Sequence, residues 1–500
     1  MNSQADVIST AEQRVRMAPS PTGFLHLGNA RTFLFDFLYA RHQGATLVLR
    51  VEDTDAERST PEAEAYLVDA LHWLGITWDE GPDIGGPHGP YRQSERSGYA
   101  AAAEVLLEKG RAYRCFCTDE ELEAERRGQQ ERGEAPRYSR RCLHLSKEQV
   151  ASFVAEGRRP SVRFLVPAGL RIMWIDAVYG ETVFESDDLG DFVILRRDGL
   201  PIYNFANVVD DHAMEITVII RSQSHLSNTP RQIMLYDALA WQAPTFAHVP
   251  DVLDAGKGKL SKRRGARGVT EYRDEGYLPQ AVVNYLALLG WSPPSEEEFL
   301  SLDQLRRLFS FDRVQKSNAA LDETRLEWFN AEYIRRISIE ELIRASLPFL
   351  QEAGLVGSDP STEDLEMLRR ILPLIQTRVR TLKEIPGMID FFFRDRIEAE
   401  PADLVPRQRS REEAAQALQA LSAELSQTEP WTSESIAAAV DRVATLLGWK
   451  RGETFMLLRV VETGRTVTPP LTESMEVLGK DAAVQRVNDQ LGGMKAALPA

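Results

Sequence analysis

Short apolar runs alternate with helical patterns through the first part of the chain. Residues 15–18 predict a short buried strand, and the helical pattern that follows it ends near Gly44. Residues 46–51 predict a second strand, and Pro61 opens a second helix. Strands and helices that alternate in this way predict a parallel α/β sheet.

The pattern changes twice further along the chain. Residues 118–160 are polar, charged and helical without a long apolar face, which is typical of an insertion, and strand-like runs return at 192–195 and 216–220. After about residue 270 the pattern is almost wholly helical, as in residues 411–425, where every third or fourth position is apolar. We therefore expect an α/β half followed by an α half.

Composition narrows the class of protein. The chain has 500 residues, of which 43% are hydrophobic and 27% charged, and this length predicts about three domains. The net charge is −16, so any contact with RNA requires a local basic surface. The first residues lack the pattern of a signal peptide and no run is apolar enough for a membrane helix, which predicts a cytoplasmic protein without a membrane partner.

A turn between the first strand and the first helix is a candidate nucleotide site. The fingerprints G-x-x-x-x-G-K-[ST] and G-x-G-x-x-G are absent, but residues 23–29 read GFLHLGN. The start of a helix attracts phosphate, His26 can donate a hydrogen bond to it, and Gly28 leaves room for a flat base. On its own this segment fits a turn that merely contains a histidine equally well.

A second loop, residues 257–267, is strongly basic. It holds six basic residues among its eleven, including Lys259 and Lys262 on either side of Ser261, and glycines border it. Such a loop can neutralise the charge that develops on departing pyrophosphate. Its composition alone favours a solvated basic loop or a patch that binds RNA.

The two loops together resemble the HIGH and KMSKS signatures of class I aminoacyl-tRNA synthetases, with Asn29 in place of the second histidine. Longer segments resemble the glutamyl-tRNA synthetases, of the bacterial type that contains zinc, and they follow one another in that family's order over nearly the whole chain. These segments are RMAPSPTGFLHLGNARTFLF, LRVEDTDAERS, GPYRQSER, DGLPIYNFANVVDDHAMEIT, HLSNTPRQ and KLSKRRGA.

The resemblance implies a multi-domain α/β and α fold. A Rossmann-like catalytic domain would occupy residues 1–113 and 191–255, interrupted at 114–190 by a domain that binds the acceptor stem. A stem-contact domain would follow at 256–335, and a helical anticodon-binding domain at 336–500. The related glutaminyl enzymes usually carry β-barrels there, so the helical second half favours glutamate.

The resemblance also implies a ligase that uses ATP with Mg²⁺ to activate L-glutamate and then transfers it to tRNA(Glu), with tRNA(Gln) as an open second substrate and a monomer expected. The reaction would proceed without a covalent enzyme intermediate, and members of this branch usually bind tRNA before they activate the amino acid. The residues that resemble ATP-binding positions, of which His26, Gly28, Lys259 and Lys262 would be catalytic, are Ala18, His26, Gly28, Lys259, Ser261 and Lys262.

Six further positions resemble those that bind glutamate. Arg16 and Arg221 would face the substrate carboxylates, since an arginine fork suits two oxygens. Glu52 would receive the ammonium group, and Ser20, Tyr203 and Asn207 would supply hydrogen bonds. Taken alone, Arg16 fits a surface charge and Tyr203 a core aromatic residue equally well.

The cysteines suggest a metal site. Cys115, Cys117, Cys142 and His144 form the pattern C-x-C, 24 residues, C-x-H, whose ligand types suit a closed tetrahedral Zn²⁺. The spacing is tighter than the common C-x₂-C, so three free thiols and a surface histidine stay open from chemistry alone. The pattern resembles the zinc module of a subset of glutamyl-tRNA synthetases, which implies one structural zinc.

A basic stretch in the second half is a candidate for contact with RNA. Residues 369–396 hold seven basic residues against three acidic ones in an otherwise acidic chain. This reversal predicts an anticodon-binding face, with Arg378 and Arg380 as the first candidates. The alternative is an ordinary amphipathic helix with solvated arginines.

One segment departs from the family pattern. The family usually reads R-G-[ED]-[ED] beside the ATP site, whereas this chain continues from Arg221 with Ser222–Gln223–Ser224, and Glu215 stands where glycine is usual. The loss of both acidic residues raises the alternative of an attenuated or non-catalytic relative that binds tRNA. If activation is attenuated, Ser224→Asp should raise the ATP-dependent rate.

Two other classes of protein remain as alternatives. An adenylyltransferase that uses the same two loops without tRNA would not need an RNA-binding second half. A paralogue that glutamylates a modified base in tRNA would resemble only the catalytic half. The helical second half argues against both.

Overall fold

The structure is a computed structural model that describes residues 12–55, 58–254, 258–259 and 267–496. The chain forms two compact units. The first comprises residues 1–270 and 283–322, and the second comprises residues 271–282 and 323–500. Among the described residues, no helix is long and apolar enough to cross a membrane.

The strands lie almost entirely in the first part of the chain. In chain order they are β1 (Arg14–Met17), β2 (Thr46–Leu49), β3 (Ala112–Cys115), β4 (Ser161–Phe164), β5 (Arg171–Asp176), β6 (Gly180–Glu185), β7 (Phe192–Leu195), β8 (Val218–Ser222), β9 (Thr245–Val249), β10 (Val252–Asp254), β11 (Gly258–Lys259) and β12 (Ala319–Leu321).

Among the described residues, ten α-helices lie between these strands in the chain, up to residue 308. In chain order they are α1 (Leu27–Gln43), α2 (Pro61–Trp73), α3 (Tyr99–Glu108), α4 (Asp119–Glu131), α5 (Lys147–Ala155), α6 (Tyr203–Ala213), α7 (Thr229–Leu239), α8 (Val269–Asp274), α9 (Pro279–Leu288) and α10 (Leu302–Leu308).

Helices make up most of the rest of the chain. They are α11 (Glu323–Arg336), α12 (Ile339–Glu352), α13 (Thr362–Ile371), α14 (Ile385–Ile389), α15 (Arg411–Ser426), α16 (Ser433–Leu447), α17 (Arg451–Thr463), α18 (Leu471–Leu478) and α19 (Lys480–Ala496).

A parallel sheet in the order β2-β1-β8-β9 forms the centre of the first unit and confirms the predicted α/β sheet. β1 and β8 are buried along most of their length, so both faces of the sheet are covered. The helix after β1 ends as predicted at Gly44, which is left-handed at φ 67 and caps the last turn. β2 ends two residues earlier than predicted, because Val51 instead bridges to Arg92.

Smaller sheets complete the first unit. β3, β4 and β7 pair antiparallel, and β5 and β6 form a hairpin. The polar, helical character predicted for residues 118–160 is confirmed in α4, which has no buried residue and begins with a capping box between Thr118 and Glu121. The expectation of an almost wholly helical chain after residue 270 missed β12, which pairs parallel with β10.

Apolar stripes on neighbouring helices build the core of the second unit. Leu418, Leu421 and Leu425 are fully buried on one face of α15, as the sequence predicts. They belong to a cluster that includes residues of α16, α17 and α19, and a second cluster lies around Phe391. The spacing of three and four residues explains this packing, because it places the leucines on one stripe.

Candidate active site

A cavity of about 430 Å³ opens at the carboxyl edge of the parallel sheet, where open α/β sheets hold ligands. Ends of strands and the start of α1 supply its walls. Most of the predicted ATP and glutamate residues line it, namely Arg16, Ala18, Ser20, His26, Glu52, Tyr203 and Arg221.

His26 is the residue that caps α1. Its Nδ1 accepts a hydrogen bond from the backbone N–H of Asn29, at 3.2 Å. A neutral imidazole whose Nδ1 accepts must carry its proton on Nε2, so the ring presents an N–H donor on its other side. This arrangement suits the predicted contact with phosphate.

Gly28 lies in the first turn of α1 and borders a smaller adjoining cavity, together with His26 and Asn29. It belongs to a regular helix, whose backbone conformation suits any residue. The feature that glycine adds here is therefore space beside the cavity rather than a special turn.

Arg16 is held at the cavity by an ion pair with Asp211, a residue that the sequence did not identify as part of the site. Asp211 on α6 accepts from Arg16 Nε at 3.1 Å and from Arg50 Nη1 at 2.6 Å. Arg50 also donates to Glu52 at 3.2 Å, and both arginines lie near Asn207 Oδ1, at 3.5 and 3.1 Å. One carboxylate thus holds two guanidinium groups in place, and Asn207 links them.

The two arginines of this network shift the pKa values of the carboxyl groups beside them. Burial raises the pKa of Asp211, but Arg16 and Arg50 together outweigh burial and lower it below its usual value. Burial raises the pKa of Glu52 beyond what Arg50 and Arg16 offset. Asp211 is therefore held ionised as the counter-ion of the arginines, whereas Glu52 remains more easily protonated until a cation approaches it.

Arg221 is the last residue of a buried chain of hydrogen bonds that begins at Asp176. His248 Nδ1 lies 2.5 Å from Asp176 Oδ2, and Arg221 Nε donates to His248 Nε2 at 3.1 Å. Arg221 Nη2 donates to Thr229 Oγ1 at 2.9 Å. Burial lowers the pKa of His248, so its neutral ring can accept from Arg221. These contacts fix the plane of the guanidinium.

One donor of Arg221 has no protein partner. Nη1 is buried and lacks a hydrogen bond among the described residues, although the other two nitrogens are satisfied. Burial lowers the pKa of Arg221 by more than Tyr203 and Asp211 raise it. A buried, unpaired guanidinium nitrogen beside a cavity is suited to an anionic ligand, because a bound carboxylate removes the cost of its desolvation.

Asp36 also faces this cavity and was not predicted. It lies on α1 and is 1% exposed, and its Oδ1 has no partner among the described residues. Burial raises the pKa of Asp36 well above its ordinary value, although Arg16 opposes this shift. The raised pKa of Asp36 makes its carboxyl easier to protonate, which would reduce the negative charge facing Arg16 and Arg221.

Tyr203 begins α6 at the mouth of the cavity. Its hydroxyl lies 3.1 Å from His225 Nδ1, and the two rings are 5.6 Å apart. The residue is 37% exposed, so it is not the core aromatic that its type alone would allow. Ser20 follows β1 at the same edge of the sheet and accepts a backbone hydrogen bond from Thr22.

The structure describes only part of the basic loop. The backbone of Lys259 belongs to β11, which pairs antiparallel with β10. Its side chain, together with Ser261 and Lys262, lies outside the described residues. Their predicted roles toward ATP stay predictions.

Three of the four predicted zinc ligands meet at the end of β3. The sulfurs of Cys115, Cys117 and Cys142 lie within 4.8 Å of one another and are buried, with 3.4 Å between Cys117 and Cys142. Zinc–sulfur bonds of about 2.3 Å in a tetrahedron place sulfurs about 3.7 Å apart, so this group fits zinc.

The fourth predicted ligand, His144, is exposed and does not join this group. The hydroxyl of Tyr138 lies there instead, 3.4 Å from Cys115 Sγ and 3.2 Å from Cys117 Sγ. The backbone N–H of Cys142 donates to the same hydroxyl at 3.1 Å. The sequence pattern predicted His144 because histidine is a common zinc ligand and stands two residues after Cys142. Tyr138 was not predicted, since tyrosine is a rare zinc ligand.

Arg378 and Arg380 lie on the second unit and are both exposed. Arg380 forms ion pairs with Glu327 at 3.3 Å and Glu384 at 3.6 Å. Arg378 Nη1 donates to the carbonyl of Thr468 at 3.5 Å. Both remain accessible to a polyanion.

Comparison with known proteins extends over both units. Residues 12–328 match the family described as tRNA synthetases class I (E and Q), catalytic domain, and residues 341–491 match an anticodon binding domain. Glutamate–tRNA ligases of Desulforamulus reducens and Bacillus subtilis are each 44% identical to this chain, over 96% of it and 99% of their own length.

A solved structure gives the same result. The crystal structure of a glutamate tRNA ligase from Elizabethkingia meningosepticum, in complex with its amino acid, is similar with a TM-score of 0.87 at 34% identity. The likeness covers 97% of this chain and 100% of that chain.

Proposed function

The chain belongs to the class I glutamate–tRNA ligases, and from this premise we propose how its residues carry out the reaction. The enzyme activates L-glutamate with ATP and transfers it to tRNA(Glu). The observation that carries the proposed geometry is Arg221, which lines the cavity and whose buried Nη1 has no partner among the described residues.

The reaction has two steps. The α-carboxylate of glutamate attacks the α-phosphorus of ATP, an acid–phosphate bond forms, and the bond to pyrophosphate breaks. A terminal ribose hydroxyl of tRNA then attacks the carbonyl of glutamyl-adenylate, and AMP leaves. Mg²⁺ supplies positive charge to the phosphates when bound. The protein contributes position and charge rather than a nucleophile of its own.

We propose that the charged residues of the cavity bind the charged groups of glutamate and that its uncharged donors fix the orientation of the substrates. Arg16 and Arg221 bind the carboxylates of glutamate, and Glu52 receives the ammonium group, which would favour its ionised form. Ser20, Tyr203 and Asn207 fix orientation. His26 donates from Nε2 to phosphate, Gly28 and Ala18 lie beside the nucleoside, and Lys259, Ser261 and Lys262 bind the leaving pyrophosphate.

We also propose one structural zinc ion held by Cys115, Cys117 and Cys142. The predicted fourth ligand is His144, and the position of the Tyr138 hydroxyl supports a test of both. Purified wild type should hold one zinc per chain, and Cys142→Ser should lose it. Loss of zinc in His144→Ala but not in Tyr138→Phe would identify the histidine, and the reverse would identify the tyrosine. Wild type without zinc would contradict the proposal.

The finer organisation is also a proposal. Residues 114–190 would bind the acceptor stem, 256–335 the stem, and 336–500 the anticodon through Arg378 and Arg380. We expect a monomer that works in the cytoplasm, where charged tRNA is used. Charging of tRNA(Gln) would depend on the side chains that face the anticodon.

The test is aminoacylation with labelled glutamate, ATP and Mg²⁺ on purified tRNA(Glu) and, separately, on tRNA(Gln). Transfer to tRNA(Glu) is expected, and transfer to both would show a non-discriminating enzyme. Binding of tRNA without transfer to either would favour the alternative of an inactive relative, which the comparisons do not support.

A further inference from the structure

The segment that lacks acidic residues lies next to a carboxylate from another strand. β8 and β9 are adjacent and parallel, with Ser222 in register with Val249, so Asp251 follows β9 beside the end of β8. Ser222 Oγ donates to Asp251 Oδ1 at 2.5 Å. The two residues are 29 positions apart in the chain, and only the fold brings them together.

The two serines of this segment form a chain of hydrogen bonds that ends at Asp251. Ser222 Oγ accepts from the backbone N–H of Ser224 at 3.1 Å and lies 2.7 Å from Ser224 Oγ. A hydroxyl has one proton, and Ser222 gives its own to Asp251, so Ser224 Oγ must be the donor of that pair. The two serines therefore direct hydrogen-bond donors toward the Asp251 carboxyl rather than replace it.

The backbone of Asp251 is held from both sides. Its N–H donates to Asn318 Oδ1 at 3.0 Å, and the same oxygen accepts from Gln223 Nε2 at 2.5 Å. Arg31 donates to the carbonyl of Pro250, directly before Asp251. A residue tied to three elements in this way is a positioned group rather than part of a loose turn.

Asp251 borders the nucleotide end of the site. It lines the smaller cavity together with His26, Gly28 and Asn29, and it is the one carboxylate among the described residues that line this cavity. A carboxylate at the end of a parallel strand, beside a helix start that attracts phosphate, is where α/β proteins bind the hydroxyls of a ribose. Asp251 Oδ1 already accepts from Ser222 Oγ, but a carboxylate oxygen can accept more than one hydrogen bond, so the group can still receive a ribose hydroxyl.

We propose that Asp251 binds the ribose hydroxyls of ATP and supplies from β9 the negative charge that Ser222–Gln223–Ser224 lacks after β8. The inference rests on the proposed function, since it assumes that ATP occupies this site. It replaces the expectation of attenuated activation. Ser224→Asp in the wild-type background should therefore raise the ATP-dependent rate by less than about twofold, because one charged hydrogen-bond acceptor is already present.

The test compares wild type with Asp251→Asn, which keeps the shape of the side chain and an oxygen that Ser222 can donate to. We expect the KM for ATP in aminoacylation to rise about 10- to 100-fold, the usual effect of losing a charged hydrogen bond, with little change in kcat. Asp237→Asn, an exposed carboxylate whose side chain is 73% accessible, is the matched control and should leave KM unchanged. Melting curves verify that each variant folds.

Two further measurements separate the ribose from other partners. With 2′-deoxy-ATP or 3′-deoxy-ATP, the difference in KM between wild type and Asp251→Asn should shrink, because the ribose hydroxyl that Asp251 would bind is missing from the analogue. Adding Ser224→Asp to Asp251→Asn should recover much of the KM by restoring a carboxylate to the same place.

Either of two results would overturn the inference. One is an unchanged KM for ATP in Asp251→Asn. The other is a loss of equal size with ATP and both deoxy analogues, especially with a shift in the Mg²⁺ requirement, which would make Asp251 a metal ligand. Failure of wild type itself to charge tRNA would refute the proposed function instead, and calorimetric titration of ATP into wild type and Asp251→Asn would still test Asp251.

Discussion

Two buried carboxylates, one in each unit, show how pairing decides the state of a charge. Asp211 in the first unit is 1% exposed and Glu462 in the second is fully buried. Asp211 accepts hydrogen bonds from two arginines, which lower its pKa. Neither oxygen of Glu462 has a partner among the described residues, and burial raises its pKa well above the ordinary value.

The arginine near Glu462 is bound elsewhere. Arg486 donates to the backbone carbonyls of Glu462, Phe391 and Arg394, at 2.7, 2.8 and 2.7 Å, and not to the Glu462 carboxylate. The second unit thus uses a buried arginine to satisfy backbone groups, whereas the first uses Asp211 to organise cations around a cavity. A buried carboxylate that is paired with cations is held ionised, whereas one without a partner among the described residues is a cost to stability when it is ionised.

Removing the counter-ion of the first unit should have the largest effect. Asp211→Asn leaves Arg16 and Arg50 without their shared carboxylate, and breaking a buried ion pair costs about 3–5 kcal/mol. We expect the unfolding free energy in urea to fall by that amount and glutamylation to be lost. The exposed control Asp237→Asn should change neither, and a stable, active Asp211→Asn would contradict the role of the pair.

Removing Arg221, whose Nη1 has no partner among the described residues, should weaken glutamate binding more than ATP binding. In Arg221→Gln the KM for glutamate should rise at least about 30-fold, since truncating one side of a buried charged contact costs about 2–5 kcal/mol. The KM for ATP should change little. Arg132→Gln, whose side chain is 60% exposed, serves as the control. Equal losses for glutamate and ATP would indicate a general structural defect.

Neutralising the carboxylate of the second unit should stabilise it. Burial raises the pKa of Glu462 in the folded state above its unfolded value of about 4.3. The protein therefore has its full stability below the unfolded pKa and loses part of it as pH rises through the folded pKa, because ionising the buried carboxyl is unfavourable. Glu462→Gln should remove this dependence and raise the unfolding free energy at pH 7 by about 1–3 kcal/mol. Thermal melts from pH 4 to pH 8 measure the slope.

The control for this change is Glu400→Gln, an exposed residue of the same unit. It should leave both stability and pH dependence unaltered. If Glu462→Gln instead lowers stability at pH 7, the carboxylate has a partner that holds it ionised, and the contrast with Asp211 fails.

The smallest effect concerns the backbone that follows Asp211. Glu215 comes just past the end of α6 with φ 56, the left-handed conformation that glycine adopts without strain. Glu215→Gly should stabilise the first unit by about 0.5–1 kcal/mol without changing activity. Urea unfolding tests this. Destabilisation would show that the glutamate side chain contributes more than its backbone costs.

Sequence alone predicted those parts that depend on local pattern. The periodicity of β1, α1 and α15 follows from neighbouring residues, and the glycine expected at position 215 corresponds to a left-handed backbone. The motif around His26 predicted a nucleotide site, and His26 lines the cavity, while its role toward ATP stays a prediction.

Pairings between distant segments could not be predicted in this way. Arg50 and Asp211 are 161 positions apart, and Asp251 compensates for Ser222 only because β8 and β9 are neighbours in the sheet. A single sequence shows neither which strands are adjacent nor which buried donor is left over. Arg221 was predicted from the family pattern, but its unpaired nitrogen and its chain of hydrogen bonds to Asp176 required the fold.

The most direct test of the central claim is competition between glutamate and glutamine in one aminoacylation reaction with wild-type enzyme. If the cations of the cavity select a carboxylate, kcat/KM should favour glutamate by at least about 1000-fold, because an uncharged amide leaves the Arg221 donor poorly matched. Comparable charging of the two amino acids would contradict the assignment of Arg16 and Arg221 to the substrate carboxylates.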